Sequence, residues 1–137
     1  MIGMPMKPGM KKDVENDGNP ALMGQLVMKL FDARTSAHVQ HLQTRSYAQH
    51  MALGSFYDSI ASTGDSIAEA WQGLYEQILP FLNPAPLTKD PLTSLKALRQ
   101  WIESNREAMC DDSEIQNLID EAMDNIDSTI YKLKFLA

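Results

Sequence analysis

Among its 137 residues the chain has a single cysteine, Cys110. That excludes an internal disulfide and every zinc or iron–sulfur site built from several thiolates, and it suits a reducing compartment. A metal ion would have to be held by His, Asp and Glu. No run approaches the ~20 apolar residues of a membrane span. The polar, methionine-rich start lacks the apolar core of a signal peptide, so the expected location is the cytoplasm. Basic charge is scarce as well. Lys and Arg number 12 against 18 Asp and Glu, a net charge of −6, which argues against a body that binds nucleic acid through its whole surface. No alternating strand or hairpin pattern is present.

What is present is an ordinary globular balance, 44% hydrophobic and 22% charged, in a chain long enough for one core. Residues 1–19 hold Pro5, Pro8, Gly9 and Gly18 without apolar periodicity and read as a flexible arm. Lys7, Lys11 and Lys12 could touch DNA phosphates, although an arm of this composition is more simply disordered. Residues 20–137 read as a helical bundle. Asn19 and Pro20 suit a helix start, and Leu22, Leu26, Leu30, Ala33 and Ala37 carry helical spacing to about residue 43. A second, longer helix is expected over 46–79, with Leu53, Ile60, Ile67, Trp71, Leu74 and Ile78 as its apolar face and Ser62–Gly64 as its weakest point. Prolines 80, 84, 86 and 91 place a loop over 80–91. A third helix follows over 92–109, carried by Leu95, Leu98, Trp101 and Ile102, and a fourth over 113–135 with Ser113 as its cap. The expected fold is an all-α four-helix bundle whose middle connection is the longest.

All three histidines, His38, His41 and His50, fall in one short stretch. His38 and His41 share a face beside the Leu26–Leu30–Ala37 stripe and point inward. A single inward histidine is most simply a hydrogen-bonded core residue. On the second helix, however, His50, Gly54, Ala61, Asp65, Ala68 and Glu69 share one arc roughly 100° wide. Asp65 and Glu69 are one turn apart and repel by a few tenths of a kcal/mol unless a cation lies between them. Iron and similar divalent ions take just these oxygen and imidazole ligands. The plain alternative is a solvated acidic patch near a buried histidine.

Geometry adds a condition. His50 and Asp65 stand about 22 Å apart along one straight helix, whereas ligands of one ion lie within roughly 5 Å of each other. A shared site therefore needs two chains, with His38 and His50 of one meeting Asp65 and Glu69 of the other across antiparallel helices. Gly54, Ala61, Gly64 and Ala68 would leave that face shallow.

The register His38, His50, Gly54, Asp65, Glu69 resembles the ligand pattern of Dps-type mini-ferritins, which carry His, His, Asp, Asp and Glu at these intervals. The segment Asp65-Ser-Ile-Ala-Glu69 resembles the family's D-x-x-A-E, and residues 111–136 resemble its last helix. Small ferritin-like proteins of tailed bacteriophages are similar too, through the stretch from His41 to His50. The resemblance, over residues 20–136, implies a ferritin-like fold and oxidation of Fe(II) with storage or detoxification of the product. Its site would lie at a dimer interface within a twelve-chain shell, in the cytoplasm of a bacterial host. His38, His50, Asp65 and Glu69 are the implied metal ligands. Two positions depart from the pattern: Gly54 replaces a bridging Asp, and Val39 replaces a Trp. Asp58 and His41 are candidates for the vacated place or for an outer shell, and Tyr47 and Tyr57 for electron donors. A His-rich set of this kind makes zinc or another divalent metal a competitor to iron. The rival reading is a non-catalytic ferritin-like structural or DNA-associated protein that has lost its oxidation centre.

Overall fold

The structure is a computed structural model, and it describes residues 18–81 and 90–137. Lys7, Lys11 and Lys12 lie outside the described residues. Four helices follow in order: α1 Pro20–Gln43, α2 Tyr47–Tyr75, α3 Pro91–Met109 and α4 Ser113–Phe135. Among the described residues there is no strand, only an isolated bridge between Gly18 and Cys110. None of the described helices is long and apolar enough to cross a membrane.

Local chemistry sets most of the boundaries. The Asn19 side chain accepts from the N–H groups of Ala21 and Leu22, and Pro20 occupies the first turn, where its missing N–H costs nothing. A three-residue corner follows, in which Ser46 accepts from Gln49 N–H and starts α2. Two helix ends differ from the expectation. Glu76 turns into the left-handed region at φ 52°, so α2 stops short of residue 79. The helical phase is lost there: Ile78 is 78% exposed, while Leu79 drops back into the core and donates its N–H to Gln72. Pro91 belongs to α3 rather than to the loop, as its first residue. In α4 the cap is Asp112, which accepts from Glu114 N–H, and Ser113 is the first helical residue.

Helix directions follow from two contacts at one end of the molecule. Asn19 N–H donates to Met109 carbonyl oxygen, which sets the start of α1 beside the end of α3. Tyr75 Oη lies 3.3 Å from Cys110 Sγ, which brings the end of α2 to the same place. Accordingly α1 runs antiparallel to α2, α3 antiparallel to α4, and α2 parallel to α3. The end of α2 and the start of α3 therefore lie at opposite ends of the bundle. One long crossover is the topology of ferritin-like folds. Arg106 ties α3 to α4 through Gln116 and Asp120, and Asn125 ties α4 to α2 through Ser59. Leu26, Leu30, Phe56, Ile60, Ile67 and Ile119 are fully enclosed between them.

Unbroken helix across Ser62–Gly64 is the feature that matters most for a site. Gly64 there is buried, and a Cβ on it would stand 2.9 Å from the Phe31 ring of α1. Its role is to let α1 approach within the same chain. Ala68 is buried as well. Two of the small residues expected to face a second copy thus face the chain's own core.

The histidine corner and the candidate metal centre

His41 sits in the last turn of α1 and His50 in the first turn of α2, so the capped corner sets them side by side. Each ring bonds the other residue's backbone. His50 Nδ1 donates to the His41 carbonyl over 2.8 Å, and His41 Nδ1 donates to the His50 carbonyl over 2.6 Å. A carbonyl only accepts, so both Nδ1 atoms carry hydrogen. The rings stack with centroids 3.6 Å apart. His41 carbonyl is among those the helix end leaves unpaired, and His50 therefore caps α1.

The other bond explains Gly54. The His50 carbonyl lies inside α2, where the helix already offers it the N–H of residue 54. A Cβ on Gly54 would stand 3.1 Å from His41 Cε1 and 3.2 Å from its Nδ1. Lacking one, Gly54 leaves room for the imidazole to reach that carbonyl. Any side chain at position 54 would have to displace the ring of His41.

Around this pair, His38 stacks on Tyr57 at 4.2 Å, and His41 meets the same tyrosine edge-on at 5.3 Å. The Arg34 guanidinium lies 5.7 Å from the Tyr57 ring centre. Tyr47 is exposed, 6.5 Å from His50. Tyr57 is thus built into the cluster and Tyr47 hangs at its edge. The histidines are half-buried, whereas Asp58, Asp65 and Glu69 are exposed.

Fixing hydrogen on Nδ1 leaves the Nε2 lone pair for a ligand, the arrangement metal-binding histidines adopt. Within one chain the set is incomplete. Among the described residues no three His, Cys, Asp or Glu side chains gather closely enough to hold a metal ion. Straight α2 keeps His50 about 22 Å from Asp65 along its axis. His38, His41 and His50 are brought together, Asp65 and Glu69 form a separate pair of exposed carboxylates, and Asp58 joins neither in a cluster of three. The reciprocal bonding was not foreseen from the sequence. Its one signal is a glycine placed one turn after a histidine that stands in the first turn of a helix.

Replacing a mid-helix glycine with alanine normally gains about 1 kcal/mol. Gly54→Ala should gain nothing or lose stability in the wild type, because the methyl group pushes on a ring held by a short bond. In a His41→Ala background it should recover the full gain. Urea denaturation of the four proteins should return a coupling of roughly 1–2 kcal/mol; simple additivity would contradict the account.

Residues 41–133 match a family of unknown function (DUF5856), a span that runs from His41 through α2 and α3 almost to the end of α4. No curated protein and no solved structure matches the chain.

Proposed function

We propose that this chain, which belongs to the DUF5856 family of unknown function, binds iron or another divalent ion between two antiparallel copies of α2. In the leading reading, Fe(II) is the substrate. It gives up an electron to peroxide or oxygen, and the ferric product is held or detoxified. His38 and His50 of one copy would be ligands together with Asp65 and Glu69 of the other. His41 orients His50, and Asp58 is left to the periphery.

The observation that carries this reading is His50 itself. Its Nδ1–H is anchored on the His41 carbonyl and its Nε2 is left for a ligand, at one end of an unbroken helix whose exposed carboxylates lie far down the same rod. Such a helix completes a site only by pairing with itself. Leu42, Tyr47 and Met51 stand exposed around the same corner, apolar area of the kind that contacts between chains cover. The resemblance to mini-ferritins supports iron as the ion and a twelve-chain assembly.

A second reading has its own support. With glycine at position 54, where the mini-ferritin pattern has a bridging carboxylate, and the His41 ring packed against it, the protein would be a ferritin-like structural element that no longer oxidises iron. A DNA-associated form of that reading rests on Lys7, Lys11 and Lys12.

Titration with Fe(II) under argon, followed by peroxide and ultraviolet absorbance, separates the readings. The first expects a saturable ferric signal that is lost in both His50→Ala and Glu69→Ala. Fe(II) that stays unoxidised, or is not bound at all, would select the second. Equal signals from all three proteins would remove the shared site altogether.

A further inference from the structure

The two ends of the bundle differ in what they show to solvent. Asn125 Nδ2 donates to Ser59 Oγ over 2.7 Å and pins α4 alongside α2 in the opposite direction. From that link, α2 runs back to Tyr47 through about 18 Å of helix, and α4 runs on to Phe135 through about 15 Å. The end of α4 therefore stands level with the histidine corner. Leu42, Tyr47, Met51, Tyr131, Phe135 and Leu136 are exposed there. With Val39 they make seven of the nine large apolar side chains that the described residues expose. Scattered singly such residues are ordinary, but gathered at one end they mark a contact. The other two, Ile78 and Phe81, stand at the opposite end, where the Pro80 carbonyl lies against Gly24 near the start of α1.

Charge separates in the same direction. Within a turn of the helix ends, the described residues of the histidine end carry Arg45, Lys132 and Lys134 against Asp90. Those of the opposite end carry Glu76, Glu107, Asp111, Asp112 and Glu114 against Arg106, whose guanidinium is already held by Gln116 and Asp120. One end is thus apolar and basic, and the other is acidic with two apolar side chains beside the carboxylates. Like ends repel and unlike ends attract, so the chain carries its own complementary surface.

We propose that this chain associates with a second copy end to end, the histidine end of one docking on the acidic end of the next. The apolar side chains of the first meet Ile78 and Phe81 of the second, and Arg45, Lys132 and Lys134 meet its carboxylates. Such a contact joins two different surfaces, so it repeats from copy to copy and builds a ring or an open row. It joins ends, whereas the metal-bound pair proposed above joins flanks, and it needs no metal.

Sedimentation velocity on the full chain in EDTA, over a concentration series at low and high salt, tests it. Association should grow with concentration at low salt and weaken by about tenfold or more at about 0.5 M NaCl, where exposed charges are screened. Lys132→Glu with Lys134→Glu should abolish it, and so should Glu107→Lys with Asp111→Lys. An equimolar mixture of the two reversed proteins should associate again, because each restores the other's contact. Phe135→Ser, which keeps every charge, should also weaken association and serves should a reversed protein fold poorly. A single unassociated species at every concentration, indifference to both reversals, or no recovery in the mixture would overturn the proposal. So would capture of the unassociated chain by phosphatidylserine vesicles, which would assign the basic end to a lipid surface. The metal-bound pair is absent in EDTA, so the two readings fail separately.

Discussion

Adding Fe(II) or Zn(II) to the purified protein should raise its melting temperature, and Glu69→Lys should abolish the rise. An ion that binds only the folded pair at a hundred times its dissociation constant stabilises it by about 2.7 kcal/mol. For a chain of this length that is a shift of about 10 °C. Glu69 is exposed on α2, away from the Leu53–Trp71 face, so the variant should melt near the wild type without metal. Reversal of charge removes an oxygen ligand and places an ammonium group against the ion. Size-exclusion runs with and without metal should show a dimer or larger assembly whose population grows with metal in the wild type alone. An unchanged metal response in Glu69→Lys would leave that residue outside the site.

Trp71→Ala should cost the fold about 3–5 kcal/mol, much of the stability of an ordinary domain. The indole is 2% exposed and lies 4.9 Å from the Tyr75 ring, whose hydroxyl in turn meets Cys110. Truncation would open a cavity at the end of the bundle where α1, α2 and α3 converge. Trp101→Ala should cost far less, because that ring is half-buried, with the Lys29 ammonium over its face. Urea denaturation of the two variants side by side gives the comparison. Equal losses would mean that Trp101 is as much a core residue as Trp71.

The two tryptophans illustrate how far residue order carries. Both sit at apolar helical positions, and both read as core. Periodicity says which side chains share a face, but not what covers that face or how closely. Ile78 is a similar case: it continues the spacing of Ile67 and Leu74, yet the helix has already ended at Glu76 and the side chain stands in solvent. Gly64 and Ala68 read as a shallow outer groove, and the approach of Phe31 in α1 makes Gly64 an interior contact.

The sequence by itself determined the all-α class, four helices, most of their ends and the grouping of histidines around one corner. These rest on short-range physics. Asn19, Pro20 and Ser46 act within a turn of where they stand, and a run of helical spacing declares itself locally. Only the tertiary structure decided what Gly54 is for. Read along the chain, it is a carboxylate lost from a ligand pattern; in the folded molecule, it is the space that lets His41 bond the carbonyl of His50. That bond joins two helices through a corner, and its geometry depends on how closely α1 and α2 pack, a distance set by every side chain between them.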